Sequence, residues 1–203
     1  MSKVDDAVAA IRTGKPVVLP FDTVYGLAAD PYHPEPARRL YRLKGRAEDQ
    51  PTALVAASLD YLLECIPELR GRAACHARLL LPGAVTLVLA NPARRFRWIT
   101  GSNPDAIGVR VPELEGPGGE VLERVGAVIA TSGNLPGQPD PTRVEEVPEE
   151  IRSGAAAVID GGELPGTPST VIDLTGSEPR VLREGALSAE EALRRLDAAV
   201  RSS

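Results

Sequence analysis

The stretch Pro16-Val-Val-Leu-Pro-Phe-Asp-Thr-Val-Tyr-Gly-Leu27 decides how the rest of the chain is read. Val17, Val18 and Leu19 are a short apolar run of β-favouring residues, and their pattern predicts a strand buried on both faces. Pro20 has no N–H for a sheet ladder. Asp22 and Thr23 then bring short polar side chains to the point where a buried strand opens at its carboxyl end. Crevices at such points hold ligands; the alternative, on this stretch alone, is an ordinary turn.

Outward from it, Val4, Ala7, Val8 and Ile11 have helical spacing and predict a helix leading into the strand. Glu35 to Lys44 reads as a second helix, with Ala37, Leu40 and Tyr41 on one stripe and Gly45 as its stop. Thr52 to Ala57 is a short apolar strand, and Leu59 to Leu80 divides into two helices around Pro67. Strands follow at Val85–Ala90, Ala106–Val111 and Ala127–Ala130, with a helix over Pro117–Val125 between the last two. Thr142 to Arg152 reads as a helix, and 156–159, 170–174 and 180–182 as further strands. The last helix begins at Ser188, whose spacing to Glu191 is that of a capping box, and turns Leu187, Ala192, Leu193, Leu196 and Val200 to one face. Strands alternating with helices give an α/β class; several late links are too short for helical crossovers, so the sheet is expected to be mixed.

Composition sets the limits. At 203 residues the chain supports one well-cored domain, and 43% apolar with 25% charged residues matches a soluble globular protein. A formal charge of −5 argues against a broadly basic nucleic-acid-binding surface, though not against a local positive groove. The charged first residues exclude a secretory signal over that stretch, and Leu79–Ala90 is short of the ~20 residues a membrane span needs. A cytoplasmic protein is expected, with Cys65 and Cys75 as reduced, buried thiols. His33 and His76 are too few and too far apart for an obvious zinc site.

Four polar clusters sit at element ends: Asp22-Thr23 with Tyr25; Lys44-Gly-Arg46; Thr131-Ser-Gly-Asn134; and Asp160-Gly-Gly162 with Ser169-Thr-Val171 and Arg183. An ammonium and a guanidinium two residues apart suit phosphate oxygens, although a solvated helix cap has the same look. Hydroxyls, N–H groups and an amide at 131–134 suit an anion or a nucleotide, or a plain turn. Neither G-x-x-x-x-G-K-[ST] nor G-x-G-x-x-G occurs, and neither histidine lies among candidate catalytic groups. What remains is chemistry by positioning: cations and hydroxyls that hold phosphate and carboxylate, with a metal carried in by the phosphates.

In this order the clusters resemble the YrdC/TsaC family of threonylcarbamoyl-AMP synthases. The matching stretches are Pro20–Leu27, Lys44-Gly-Arg46, Leu81-Pro-Gly-Ala-Val-Thr86, Ile107-Gly-Val-Arg110, Thr131–Asn134, Asp160–Gly162 with Pro168–Val171, and Val181-Leu-Arg-Glu-Gly185. The resemblance implies a twisted mixed β-sheet flanked by helices around a large, positively lined open cavity, with residues 1–203 as a single domain lacking the C-terminal extension of longer relatives. It also implies an ATP-dependent nucleotidyltransferase. L-Threonine and bicarbonate give a carbamate that attacks the α-phosphate of ATP, with Mg²⁺ carried on the nucleotide. The product, threonylcarbamoyl-AMP, passes to a tRNA threonylcarbamoyl transferase complex that forms threonylcarbamoyladenosine. By the same resemblance Lys44, Arg46, Ser132 and Asn134 surround the nucleotide and reacting groups. Thr23, Arg110 and Ser169 hold threonine, Arg110 pairing bidentately with its carboxylate, and Arg183 binds nucleotide.

The chain departs from the pattern at Phe21 and Asp22, where many members have Thr and Glu, and at Val55, where some have His. It departs again in Ser132-Gly-Asn-Leu-Pro-Gly137 and at Asp140, where a family Ser is replaced by a carboxylate that repels phosphate unless a metal intervenes. Two readings compete. One is a paralogue with the same cavity acting on another carbamoyl-adenylate or on modified RNA. The other is a double-stranded RNA-binding module built on Arg38, Arg39, Arg42, Lys44, Arg46, Arg94, Arg95 and Arg97.

Overall fold

The computed structural model describes residues 2–200, the side chains of 198–200 excepted, so the Val200 side chain of the expected apolar face lies outside what is described. Its frame is a hairpin. β1 (Val17–Pro20) and β2 (Tyr25–Ala29) pair antiparallel with Pro20 opposite Tyr25. Phe21 N–H donates to the Val24 carbonyl across the turn at 3.2 Å. β2 has no counterpart in the sequence reading: Gly26, Ala28 and Ala29 are weak strand formers and give no β-favouring run like that of β1.

The other strands are β3 (Ala53–Ala56), β4 (Val85–Ala90), β5 (Ala106–Arg110), β6 (Ala127–Ser132), β7 (Thr170–Asp173) and β8 (Arg180–Arg183). One eight-stranded sheet runs β1-β2-β6-β3-β5-β4-β7-β8. It is mixed, as expected: β3 with β5 and β4 with β7 are parallel, and the remaining neighbours antiparallel. The expected strand over 156–159 is reduced to a bridge between Val158 and Val18. With the N–H of Val18 donating to Ala157 at 2.9 Å, it covers the outer edge of β1.

Helices α1 (Lys3–Arg12), α2 (Pro34–Lys44), α3 (Leu59–Cys65), α4 (Gly71–Leu80), α5 (Gly116–Val125), α6 (Glu149–Gly154) and α7 (Ala189–Val200) flank the sheet. The larger core lies on one face, where Leu40 and Tyr41 of α2, Leu62 of α3, Leu80 of α4 and Leu196 of α7 join Leu54, Leu87, Val109 and Ile172. On the other face α1 and α5 bury Val8, Ile11, Val121 and Leu122 against Val17, Leu19, Ala28 and Val128. That cover does not extend along the whole sheet. In β4, Val85, Leu87 and Leu89 are buried while Thr86 and Val88 between them are half-buried, and Ala106, Gly108 and Arg110 repeat the pattern in β5. The half-buried set faces a cavity.

Three local expectations change. The helix expected over Thr142–Arg152 is a single 3-10 turn at Val144–Glu146 followed by α6, because Pro148 interrupts the ladder. Ser188 Oγ accepts from Glu191 N–H, but the Glu191 carboxylate turns to Arg194 and Arg195, so only half of the capping box forms. Cys75 is exposed, since α4 turns His76, Ala77 and Leu80 inward.

Candidate active site

The cavity has a volume of about 610 Å³, within the usual range for small-molecule sites. Thr23, Lys44, Arg46, Arg110, Ser132, Asn134, Ser169 and Arg183 all line it, so segments separated by 160 residues of chain meet there as the sequence reading required. Four cations face one carboxylate, Asp140, in a protein whose net charge is −5.

One end is built from the last turn of α2 and the end of β6. Gly45, in the left-handed region at φ 65°, turns the chain out of α2 so that Lys44 and Arg46 both reach the cavity. Lys44 is 5% exposed. Its Nζ donates to the Asn134 carbonyl at 2.9 Å, to Asn134 Oδ1 at 2.7 Å, to the Ser132 carbonyl, and more loosely to Ser132 Oγ at 3.2 Å. Three protons thus serve four neutral acceptors, and the Ser132 hydroxyl is the partner most easily exchanged for a ligand. Burial, with the charge of Arg46 beside it, pulls the Lys44 pKa down to about 8, against the opposing pull of Asp140. Arg46 donates to Gln50 Oε1 at 3.0 Å, Thr131 Oγ1 at 3.1 Å and the Pro51 carbonyl at 2.6 Å. Among the described residues neither cation forms an ion pair, which leaves their charge for an anion. Ser132 Oγ donates to Asn134 Oδ1 at 2.7 Å, and Asn134 Nδ2 to the Gln138 carbonyl at 2.5 Å, so the loop is tied before a ligand arrives.

The other end gathers hydroxyls around two guanidiniums. Arg110, at the end of β5, donates through Nη2 to the Asp22 carboxylate and to Thr23 Oγ1, the latter at 3.1 Å. Nη2 is thus committed to protein groups and Nε is buried without a partner among the described residues, which leaves the terminal Nη1 as the free donor of Arg110, in place of the free bidentate fork of the sequence reading. Arg183 on β8 donates to the Ser169 carbonyl at 2.8 Å and to its Oγ at 3.3 Å. Ser169 Oγ lies 3.0 Å from Thr86 Oγ1. Thr86 is thus a site residue to which the sequence reading gave no role, although it lies within a matching stretch. Thr131, of the third cluster, joins the site as a partner of Arg46. The alternation of β4 was the signal for Thr86: it is the lone hydroxyl in an otherwise apolar strand.

Tyr25 does not belong to the site. It is fully buried, its hydroxyl accepts from Gly161 N–H at 2.9 Å and donates to the Gly162 carbonyl at 2.8 Å, and neither Tyr25 nor 160–162 lines the cavity. The first and fourth clusters therefore contribute only in part, while Tyr25 fastens the Gly-Gly loop to β2. Phe21 and Val55 line the cavity as apolar wall. The Phe21 ring lies where a Cβ on Gly26 would be, 2.6 Å from its nearest ring atom, so this pair fits only with glycine at 26. Of the arginine run, Arg38, Arg39 and Arg42 share Glu35, while Arg94 pairs with Asp105 and Arg95 with Glu68.

With the geometry in place, comparison with known proteins is informative. Residues 9–185 match the family model Sua5/YciO/YrdC, described as telomere recombination. A protein of Pyrococcus abyssi named threonylcarbamoyl-AMP synthase is 38% identical over 192 residues, covering 93% of this chain and 56% of that protein. A putative threonylcarbamoyl-AMP synthase of Mycobacterium tuberculosis is 34% identical over 185 residues, covering 91% of this chain and 84% of its own. The crystal structure of P. abyssi Sua5 complexed with L-threonine superposes with a TM-score of 0.86 at 35% identity, over 96% of this chain and 58% of that one. The chain thus spans a little over half of the archaeal relative and most of the mycobacterial one.

Proposed function

This chain belongs to the Sua5/YciO/YrdC family, and on that premise we propose that it is a threonylcarbamoyl-AMP synthase, converting L-threonine, bicarbonate and ATP to threonylcarbamoyl-AMP, pyrophosphate and water. The observation that carries the reading is the single cavity, with an unpaired ammonium and guanidinium at one end and a hydroxyl-rimmed pair of guanidiniums at the other.

In this reading Arg110 meets the amino-acid carboxylate through Nη1, and Thr23, Thr86 and Ser169 hydrogen-bond the rest of threonine. The amine, once condensed with bicarbonate, is a carbamate whose oxygen attacks the α-phosphorus as pyrophosphate leaves. Lys44 and Arg46 offset the charge gathering on the phosphates, and Ser132 and Asn134 fix their approach. Arg183, between Ser169 and the cavity, holds the nucleotide at the junction of the two substrates. Among the described residues no group of three His, Cys, Asp or Glu side chains is gathered for a metal ion, and Asp140 is the one carboxylate lining the cavity. In this reading Mg²⁺ arrives on the phosphates, and Asp140 would be the protein group to hold it, the ion offsetting the repulsion expected of that carboxylate. The ion would share the phosphate charge.

No helix among the described residues is long and apolar enough to cross a membrane; we place the activity in the cytoplasm. The product is a labile mixed anhydride, which makes transfer to a tRNA threonylcarbamoyl transferase complex the natural next step. RNA is not a ligand in this reading, since most of the arginines offered for it are paired with carboxylates or face the cavity.

Pyrophosphate release is expected only when threonine, bicarbonate and Mg²⁺-ATP are all present. Omission of any one should reduce it to background in a coupled pyrophosphate assay. ATP turnover indifferent to threonine would end this reading in favour of the paralogue.

A further inference from the structure

We propose that Asp22 is a positioning residue for amino-acid recognition, pinning the Arg110 guanidinium by one terminal nitrogen so that the other is held at the cavity. The inference rests on the reading of this end of the cavity as the threonine site.

The two side chains are 10% and 11% exposed and form an ion pair through Asp22 Oδ1 and Arg110 Nη2. Thr23 Oγ1 accepts from the same nitrogen at 3.1 Å. Thr23 and Arg110 line the cavity whereas Asp22 does not, so the carboxylate grips the guanidinium from behind. The residue pair is the tip of the β1–β2 turn, and the hairpin sets where Nη2 is held.

Arg110 Nε is buried with no hydrogen-bond partner among the described residues. Closed off from the cavity, Nε cannot itself meet a ligand, so with Nη2 locked on Asp22 and Thr23 the side chain offers its charge through the remaining terminal nitrogen, Nη1. Arg110 is therefore held with a donor waiting. The charge of Asp22 is needed as well as its shape. Arg183 bears on Arg110 from β8 and burial disfavours both charges, so without an anion behind it the Arg110 guanidinium is pushed away from its partner. Thr23, accepting from Nη2, has its own proton free for a ligand.

The test is calorimetric titration with L-threonine of the wild-type chain, Asp22→Asn and Asp22→Glu, with ATP titrations and steady-state kinetics of the same proteins. Asp22→Asn is expected to weaken threonine binding by about 10-fold or more. It should raise the threonine KM in parallel, with kcat at saturating threonine and ATP affinity kept within about threefold. Asp22→Glu, which restores the charge, is expected to recover most of the threonine affinity. Unchanged threonine affinity in Asp22→Asn would overturn the inference. So would equal losses of threonine and ATP affinity, since a merely structural role moves both. A wild-type chain that binds ATP but not threonine would instead overturn the threonine reading on which the inference stands.

Discussion

Lys44→Ala is expected to lower turnover by about 100- to 1,000-fold while the chain keeps its fold, the loss typical of a donor aimed at developing charge in an enclosed site. The size follows from the setting. Lys44 is buried, faces only neutral acceptors, and has its charge uncommitted until an anion arrives. The fold survives because those acceptors border the cavity, where solvent replaces the ammonium. Arg46→Ala should act in the same direction, as the second cation at that end.

Lys44 also carries a pH signature. Its pKa is drawn from 10.5 to about 8, so the protonated amine that an anion needs is lost at a lower pH than in an ordinary lysine. The kcat/KM for ATP, which reports the free enzyme, is expected to fall above about pH 8. Lys44→Arg, charged throughout that range, should lack this limb whatever its absolute rate. Stability moves the other way. Between pH 8 and 10.5 the unfolded chain keeps a proton on Lys44 that the folded chain gives up, so this residue's contribution to stability increases with pH across that window.

Arg110→Ala is expected to raise the threonine KM by about 100-fold or more, because it removes the charged donor that meets the carboxylate. It should also destabilise the chain by about 3–5 kcal/mol, since Asp22 is left buried without its cation. Burial already pushes the Asp22 carboxyl up, and Arg110 is the main force holding it down. The two losses can be separated. Arg110→Gln combined with Asp22→Asn replaces the ion pair by neutral hydrogen-bonding groups, so it is expected to regain most of the thermal stability and none of the threonine affinity.

What the sequence made legible was punctuation and order. Gly45 after an apolar stripe marked the end of α2, whereas β6 runs two residues past the expected Ala130 into Thr131 and Ser132, and the site assembles from those two ends. The mixed sheet followed from links too short for crossovers. β2 was not legible, because Gly26, Ala28 and Ala29 are weak strand formers, and Tyr25, which reads as a polar group, is a wall of the core. The break within Thr142–Arg152 is written in Pro148, whose ring cannot continue a helical ladder. Within the site, residue types announced the cations but not their partners. Nothing local shows that Asp22 and Arg110, 88 residues apart, would pair, or that Thr86 would sit beside Ser169. Those are products of strand order, which residue pattern does not encode.

The central claim is that one hollow takes a nucleotide and an amino acid side by side. Its most direct test is a crystal structure with L-threonine and a non-hydrolysable ATP analogue bound together. The expected result has phosphate oxygens against Lys44, Arg46, Ser132 and Asn134, the threonine carboxylate against Arg110, and the amino group facing the α-phosphate. Either ligand lodged outside this cavity, or the two bound with amine and α-phosphorus turned away from each other, would contradict it.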